Sequence, residues 1–289
     1  MSVGTAELLK RCRFPEPGTA VTCAVSGGAD SLALLALAVA AGCEVTAVHV
    51  DHGLREGSDA EADVVLSAAL RFGAEFRSEQ VEVALGPNLE ARAREARYGV
   101  LPPDVLTGHT ADDQAETTLL ALLWGSAWHG MAGMADDGRR PLLQLRRAET
   151  VALCEQLDLQ PVADPMNDDR AFRRVRVRNE VLPLLNEIAD RDMVPLLVRQ
   201  AGVFAESAAL LDDLAAELDA TDAKAVAAAP RPLARLAIRA WLQRELGGPP
   251  PGLAEVDRVL DVAANRAVGT QLEGGVAVRR TDQRLRLER

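Results

Sequence analysis

The residues best suited to chemistry follow a short apolar run near the start of the chain. Residues 20–25 are apolar or β-branched and have the length of a buried parallel strand. The loop after them consists of Ser26, Gly27, Gly28, Ala29, Asp30 and Ser31. Its glycines let the backbone approach a ligand closely, and the helix predicted to begin near Ser31 points unpaired N–H groups at the loop. This order of strand, glycine loop and helix predicts a phosphate cradle.

Two common phosphate loops are excluded by the residues themselves. No Gly-x-x-x-x-Gly-Lys-Ser/Thr occurs in the chain, and no Gly-x-Gly-x-x-Gly follows the strand. The remaining pattern, Ser-Gly-Gly-x-Asp-Ser, resembles the signature of the PP-loop (N-type ATP pyrophosphatase) superfamily. That resemblance implies cleavage of ATP between its α and β phosphates to give an adenylated intermediate. The alternative, an ordinary glycine turn before a helix, is disfavoured because all five fixed positions match.

A second candidate site lies at residues 107–117, where a strand is predicted to end and a helix to begin. Asp112, Asp113 and Glu116 fall within about one helical turn, so their carboxylates can share a face and repel one another. A bound cation, either a metal ion or a substrate ammonium group, would account for all three. Acids in a first turn also complement the helix dipole. That simpler explanation covers Asp112 and Asp113 but not His109 or Glu116.

Basic residues are concentrated in one segment, although the chain as a whole is acidic. The formal net charge is −11, and Lys10 and Lys224 are the only two lysines. Five arginines lie within nine residues, at Arg170, Arg173, Arg174, Arg176 and Arg178. Such a run is either a solvated helix face or a surface that meets phosphates. From the residues alone, both interpretations stay open.

The order of predicted elements indicates an α/β fold. Strands are predicted at 20–25, 43–50, 76–83 and 105–108, alternating with helices at 32–41, 58–72, 89–98 and 110–124. Such alternation predicts a parallel twisted sheet flanked by helices. Ligands in these sheets bind beyond the carboxyl ends of the strands, where the candidate loops converge.

The character of the chain changes after about residue 190. Alanine- and leucine-rich helical patterns appear at 194–218 and 231–246, and strand-like alternation at 270–287 predicts a β-hairpin around Gly274 and Gly275. We therefore predict a smaller, mainly helical C-terminal domain that ends in this hairpin. The predicted division is a PP-loop ATP-binding catalytic domain at 1–190, a connecting helix at 191–222 and the small domain at 223–289.

Bulk composition indicates a globular protein. The 289 residues are 48% hydrophobic and 26% charged, which suits one large and one smaller domain. No uninterrupted apolar run reaches the roughly 18 residues of a membrane span, and the first residues lack a secretion signal. We expect a cytoplasmic location and no membrane partner. Four scattered cysteines without a Cys-x-x-Cys pair give no support to a metal, iron–sulfur or disulfide framework.

Further motifs narrow the resemblance to one family. In chain order they are Val48-His49-Val50-Asp51-His52-Gly53-Leu54-Arg55, Glu90 to Arg94 with Arg97-Tyr98, His109 to Thr117, Gly125-Ser126 with Gly130 and Gly133-Met134, and Asp164 to Asp168. Together they resemble the tRNA(Ile)-lysidine synthetase family over roughly residues 20–185. A series of motifs in consistent order is much more specific than the glycine loop alone.

The resemblance implies a ligase that forms a carbon–nitrogen bond in two steps. ATP adenylates the C2 carbonyl oxygen of the wobble cytidine in a CAU-anticodon tRNA(Ile) and releases pyrophosphate. The ε-amine of free L-lysine then attacks C2 and releases AMP, which forms lysidine and changes codon reading from AUG to AUA. ATP and Mg²⁺ are the implied cofactors, and tRNA and lysine the implied partners. A homodimer is left open.

The resemblance also implies roles for residues of the nucleotide site. The loop from Ser26 to Ser31 would hold the triphosphate, with Asp30 as the Mg²⁺ ligand. His49 and Val50 would lie beside the adenine. Arg94 would neutralise charge that develops on the α-phosphate.

Other residues would serve the two acceptor substrates. Asp113 and Glu116 would bind the lysine ammonium group and one would help remove its proton, and His109 is a further candidate catalytic residue. Four arginines would contact tRNA or form a lid over ATP: Arg173, Arg174, Arg176 and Arg178. Four more, in the predicted hairpin, would contribute to the grip on tRNA: Arg279, Arg280, Arg284 and Arg286.

Some positions depart from the family pattern, and other functions stay open. The departures are Thr110, Trp124, Met166 and Val175, which affect the expected tRNA contacts and lid but remove no proposed catalytic group. The alternatives are another PP-loop tRNA-modifying enzyme such as a thiolase, an amide-forming relative, and a non-catalytic nucleotide-binding module. A thiolase generally needs paired reactive cysteines, an amide-forming relative needs an amidotransferase domain, and a binding module needs neither the acidic turn nor the arginine cluster.

Overall fold

The structure is a computed structural model, and it describes residues 4–51, 59–81, 92, 96, 98–162, 169–248 and 250–288. The chain divides into two compact units, Met1–Gly202 and Val203–Arg289. Several predicted features lie outside the described residues: Arg94, the motif residues 52–55, most of the helix predicted at 89–98, and the segment 164–168 with Met166.

The first unit is built on a parallel sheet of four strands. They are β1 (Ala20–Ala24), β2 (Glu44–Asp51), β3 (Glu75–Gln80) and β4 (Leu106–Thr107). Their order across the sheet is β3-β2-β1-β4. In the parallel register Thr22 lies opposite Thr46, and Cys23 lies opposite Leu106. The predicted parallel sheet is therefore confirmed, with all four strands directing their carboxyl ends to the same edge.

Helices connect and flank these strands. In chain order the helices of the first unit are α1 (Thr5–Leu9), α2 (Ala29–Ala40), α3 (Asp59–Phe72), α4 (Ala111–Leu123), α5 (Trp128–Met131), α6 (Arg147–Gln156), α7 (Arg173–Arg176) and α8 (Leu182–Ala189), with a π-helical turn at Val177–Val181 between the last two. The helix α6 was not predicted from the sequence.

The core of the first unit surrounds α2. Because this helix is almost entirely alanine and leucine, it has no polar face to turn outward. Leu32, Leu35 and Leu37 are fully buried and pack with Val65 of α3 and Leu153 of α6. Burial of each leucine stabilises the fold by about 1.5–3 kcal/mol. This packing holds the start of α2, and the glycine loop before it, in a fixed position.

The second unit is helical with an antiparallel sheet at its end. A long helix, α9 (Val194–Ala216), contains the division between the units, and α10 (Ala223–Ala228), α11 (Arg231–Leu246) and α12 (Leu253–Ala263) follow. Ile238, Val259 and Val278 are fully buried in its core. The predicted mainly helical character of this region is confirmed.

The C-terminal tail has one strand more than the predicted hairpin. Three antiparallel strands, β5 (Gly269–Gln271), β6 (Ala277–Thr281) and β7 (Arg284–Glu288), pair in the order β5-β6-β7. The second turn uses Asp282 and Gln283, whose φ angles are 50° and 64°. Two left-handed residues match a tight hairpin turn, which usually contains glycine. Because neither residue is glycine, this turn carries only a weak sequence signal.

One helix of the described chain, α9, is long and apolar enough to cross a bilayer by length and composition. Charged residues such as Arg199 and Glu206 interrupt its apolar run. A core helix of a non-membrane protein passes the same test, so the helix is weak evidence for a membrane span.

Candidate active site

The glycine loop has the geometry of an anion site. Gly27 has a φ of 84°, which a side chain would disfavour. Gly28 is the N-cap of α2, and no side chain within the described residues caps this helix. The Ser31 hydroxyl accepts from the backbone N–H of Ser26 at 3.1 Å and donates to the carbonyl of Gly28 at 2.8 Å. The loop is thus held by its own side chain while the positive end of the helix faces outward.

A third glycine brings the second candidate segment against this loop. A Cβ on Gly108 would lie 2.6 Å from the carbonyl oxygen of Asp30 and 3.1 Å from the backbone nitrogen of Ser31. Only glycine allows the end of β4 to approach the start of α2 so closely. Gly108 therefore places His109 and the acidic helix α4 next to the phosphate loop.

Asp30 lies where the glycine loop meets the end of β4. Its carboxylate accepts hydrogen bonds from the Thr150 hydroxyl and, at 3.3 Å, from Nε of Arg147. Burial raises the pKa of the Asp30 carboxyl, and the partial compensation by Thr150 and Arg147 does not reverse that direction. A nearby cation would stabilise the ionised form of this buried carboxyl.

Asp113 is buried in the first turn of α4. The backbone N–H of Thr110 donates to its Oδ2 at 2.8 Å, which caps the helix, and the Thr110 hydroxyl donates to the same oxygen at 3.0 Å. Its other oxygen, Oδ1, accepts from Arg147 and Arg174, each at 2.9 Å. Burial acts to raise the pKa of Asp113, but the charges of these two arginines hold it below its ordinary value. Asp113 is therefore ionised at neutral pH.

Glu116 lies one turn further along α4 and its side chain is 0% exposed. Three guanidinium groups donate to it: Arg147 at 3.0 Å, Arg174 at 2.7 Å and Arg178 at 2.7 Å. Burial acts to raise the pKa of Glu116, whereas the hydrogen bond from Arg178 and the charge of Arg147 keep it below the ordinary value. The third acid, Asp112, turns away and accepts from the backbone N–H of Arg147 at 2.8 Å.

Arg147 joins the two predicted sites, and sequence reasoning missed it. One guanidinium group contacts Asp30 at 3.3 Å, Asp113 at 2.9 Å and Glu116 at 3.0 Å. The phosphate loop therefore lies within reach of the same side chain as Asp113 and Glu116, which we call the acidic pair. One signal was available, because Arg146 and Arg147 stand at the start of α6, where a positive charge opposes the helix dipole. Such arginines need acidic partners from elsewhere in the fold.

The arginine segment is divided between the interior and the surface. Arg174 and Arg178 reach inward to Glu116. Arg176 pairs at the surface with Glu180, at 3.2 Å. Arg173 is exposed, with its guanidinium carbon 5.7 Å from the centre of the Trp124 ring. Val175, one of the positions that depart from the family pattern, is buried.

The predicted histidines occupy different places. His109 is half-buried, shares a 2.8 Å hydrogen bond through Nδ1 with the Thr107 hydroxyl, and lowers the pKa of Asp113 by its charge. His49 is 2% exposed, and its Nδ1 lies 3.1 Å from the carbonyl oxygen of Val25, the residue before the glycine loop. Val50 is half-buried at the end of β2. His49 and Val50 therefore lie at the carboxyl edge of the sheet beside the loop.

Three of the four predicted hairpin arginines have partners within the second unit. Arg284 pairs with Asp219, and Arg279 pairs with Glu288 at 2.9 Å. Arg280 donates to the carbonyl of Ala263 at 2.7 Å. Arg286 is exposed and lies opposite Arg279 in the sheet.

In the first unit the glycine loop lies beside Asp113 and Glu116, and Arg147 contacts both parts of the site. A family model for the PP-loop domain matches residues 3–185, and a model for the TilS substrate binding domain matches residues 222–286. The fold and the site thus define an ATP-using protein of the PP-loop class.

The relatives specify the family. The tRNA(Ile)-lysidine synthase of Nocardia farcinica is 43% identical over 281 residues, covering 92% of this chain and 87% of that protein. The tRNA(Ile)-lysidine synthase of Rhodococcus erythropolis is 42% identical over 279 residues, covering 91% of this chain and 84% of that protein. The chain belongs to the tRNA(Ile)-lysidine synthase family.

A solved structure shares the fold at low identity. The U34-tRNA thiolase NcsA from Methanococcus maripaludis, with its [4Fe-4S] cluster, aligns with a TM-score of 0.57 and 16% identity. The alignment covers 70% of this chain and 78% of that one. The likeness supports the PP-loop fold, which sequence analysis predicted.

Proposed function

We propose that this protein joins free lysine to C2 of the wobble cytidine of a CAU-anticodon tRNA(Ile), with ATP converted to AMP and pyrophosphate. The observation that carries the proposal is the bridge made by Arg147, which contacts Asp30 of the phosphate loop and Glu116 of the acidic pair. A reaction that activates one substrate with ATP and attacks it with an amine needs these two sites side by side. Membership of the family supports the same reaction.

In the first step the C2 oxygen of cytidine attacks the α-phosphorus of ATP, and the bond to the β-phosphate oxygen breaks. The N–H groups at the start of α2 would hold the phosphates, as helix N-termini do. Arg94 would neutralise charge on the α-phosphate, and His49 and Val50 would flank the adenine.

Asp30 fits the role of Mg²⁺ ligand. It is a single carboxylate beside the phosphate loop, and within the described part of the chain no group of three His, Cys, Asp or Glu side chains could hold a metal. Mg²⁺ commonly binds one or two carboxylates together with phosphate oxygens of the substrate, so one aspartate suffices. The ion would supply positive charge to the phosphates. Arg147 would then release Asp30 and keep its contacts to the acidic pair.

In the second step the lysine ε-amine bonds to C2, the bond from C2 to the adenylate oxygen breaks, and AMP leaves. Asp113 and Glu116 would bind the ammonium form. Because both carboxyls have lowered pKa values, they are weak bases, and their role is to hold and orient the lysine. We assign acceptance of the proton to the neutral imidazole of His109, which lies two residues before the first residue of α4.

Lysine would have to compete for Glu116. Three guanidinium groups already donate to this carboxylate, and two of them come from the arginine segment, at Arg174 and Arg178. A lysine ammonium group can bind Glu116 only if one of these three guanidinium groups moves away. The phosphates of ATP or tRNA are the natural alternative partners for a guanidinium group. We therefore propose that the segment with Arg174 and Arg178 is a lid, and that these two side chains exchange the Glu116 carboxylate for a phosphate when the substrates bind.

The second unit would bind the tRNA. The match to the substrate binding model over residues 222–286 supports this assignment, and exposed Arg286 is the hairpin arginine best placed for a phosphate. We propose functional domains at 1–190, 191–222 and 223–289, and a cytoplasmic location, where the tRNA substrate is found.

The test is direct. Purified protein is incubated with ATP, Mg²⁺, labelled lysine and a CAU-anticodon tRNA(Ile) transcript, and the digested nucleosides are analysed by mass. Lysine-modified cytidine is the expected product, with none in a reaction that lacks ATP. Release of pyrophosphate without this product would move the acceptor elsewhere. A thiolated nucleoside in a parallel reaction that is supplied with sulfide in place of lysine would refute the lysine assignment.

A further inference from the structure

Large apolar side chains are exposed together where α4 ends. Leu122 and Leu123 are mostly exposed, Trp124 is 63% exposed, and Trp128 at the start of α5 is 48% exposed. Tryptophan buries more apolar surface than almost any other side chain when a partner covers it. Two leucines and two tryptophans exposed within one short stretch therefore form an apolar surface of the kind that binds a partner.

A cation lies against this surface. The guanidinium carbon of Arg173 is 5.7 Å from the centre of the Trp124 ring, and the side chain makes no ion pair with any residue that the structure describes. Nearby Arg170 and Arg176 are instead paired with Glu180. An indole beside a guanidinium group offers a flat π surface and a positive charge, the two features with which proteins hold unpaired nucleobases.

The segment that follows Trp124 is held in place from α4. The side chain of Gln114 accepts from the backbone N–H of Met134 at 2.7 Å and donates to the carbonyls of Ala132 and Met134 at 3.3 and 3.2 Å. A Cβ on Gly133 would lie within 3.0 Å of the Gln114 amide. The backbone on both sides of the turn after α4 is also fixed, because Trp124 N–H donates to the carbonyl of Leu120 at 3.1 Å and Ser126 N–H to that of Ala121 at 2.9 Å. A surface whose backbone is already fixed pays a lower entropic cost on binding.

The surface belongs to the same two elements as the acidic pair. Asp113 and Trp124 lie on one face of α4, three turns and about 16 Å apart. Arg173 and Arg174 are adjacent in the chain, and the first contacts Trp124 while the second contacts Asp113. A stacked strand spans about 16 Å in roughly five nucleotides at 3.4 Å each. A nucleic acid with one base beside the lysine held by Asp113 and Glu116 can therefore reach the surface with another base.

We infer that Trp124, together with Arg173, stacks an unpaired base of the tRNA anticodon loop while the wobble cytidine occupies the catalytic site. The inference rests on the proposed function, since it names where that tRNA lies. Unpaired loop bases are the part of an RNA that can splay out onto an aromatic side chain. We favour RNA over a second copy of the chain as the occupant, because the guanidinium group of Arg173 beside the indole suits a partner that carries phosphates.

The test uses fluorescence of Trp124 itself. In a Trp128→Phe, Trp241→Phe double variant, Trp124 is the only tryptophan left. Titration with a CAU-loop anticodon stem-loop RNA is expected to quench its emission, because a stacked base quenches an indole. Unchanged emission at saturating RNA would overturn the inference.

Affinity gives a second readout. Loss of one stacked base weakens binding by about tenfold or more, so Trp124→Ala should raise the Kd for the stem-loop by that factor. Trp124→Phe should recover most of the affinity, and the salt dependence should not change, because no phosphate contact is lost. A Leu70→Ala variant, which also removes an exposed apolar side chain, is the matched control. An unchanged Kd in Trp124→Ala would overturn the inference, as would light scattering that shows this variant converting a dimer to a monomer.

Lysidine formation on full-length tRNA by the wild-type protein is measured in parallel. Absence of product would count against the proposed function. Product formation without quenching of Trp124 would count against the stacking surface alone.

Discussion

Replacement of Arg147 by methionine tests whether its guanidinium group holds the two sites together. The side chain is 23% exposed and contacts Asp30, Asp113 and Glu116. Methionine keeps most of the apolar length and removes the charge. Removal of one partner from a buried ion pair costs about 3–5 kcal/mol. Because Glu116 and Asp113 retain other arginines, we expect the lower end, about 3 kcal/mol.

The expected loss is measurable as a melting temperature. For a unit of this size about 3 kcal/mol corresponds to a decrease of roughly 6–12 °C in Tm at pH 7. The matched control is Arg146→Met, which removes the neighbouring arginine, paired with Asp112 and Asp192. Since the Arg146 side chain is about a third exposed, its loss should cost at most about 1 kcal/mol.

The pH dependence has a definite sign. In the wild type the pKa values of Asp113 and Glu116 are lowered, so their pairing stabilises the fold above their unfolded pKa and is lost as pH falls through the folded values. Without Arg147 the carboxyls bind protons at higher pH, and Asp30, whose pKa is already raised by burial, does so first. The deficit of Arg147→Met should therefore be largest at pH 7 and shrink below about pH 5. A deficit below about 1 kcal/mol at pH 7, or one that grows on acidification, would refute the reasoning.

Three other predictions concern single groups. Asp30→Asn should reduce pyrophosphate release by about a hundredfold or more without loss of Tm, and normal release would remove the metal-ligand role. Glu116→Gln should raise the lysine KM by about tenfold or more and affect adenylation less, whereas an unchanged KM would exclude the lysine site. Burial raises the pKa of Cys12 and Cys23 to about 12 and of Cys154 to about 11, so the native protein should resist iodoacetamide at pH 8 and keep its activity. If the native thiols reacted as fast as those of the urea-unfolded protein, the core would be open to the reagent and the prediction would be wrong.

Local sequence determined the parts of this protein whose residues are neighbours in the chain. The apolar strand before Gly27 and Gly28, the capped acidic helix after Thr110 and the alternation of strands and helices all follow from short-range patterns. Motifs from Val48 to Asp168, read in order, determined the family as well. These signals are local because hydrogen bonding within a helix or turn depends on residues a few positions apart.

Tertiary structure decided which groups meet. Arg147 contacts an aspartate 117 positions earlier in the chain, and Gly108 approaches the backbone of that same Asp30. Nothing in residues 170–178 indicates that Arg174 and Arg178 turn inward to Glu116 while Arg173 stays at the surface. Each of these outcomes depends on how whole elements pack, because the cost of burying Glu116 selects its arginine partners only after the sheet and helices have enclosed it. The sequence determined the chemical groups, and packing determined which of them share one site.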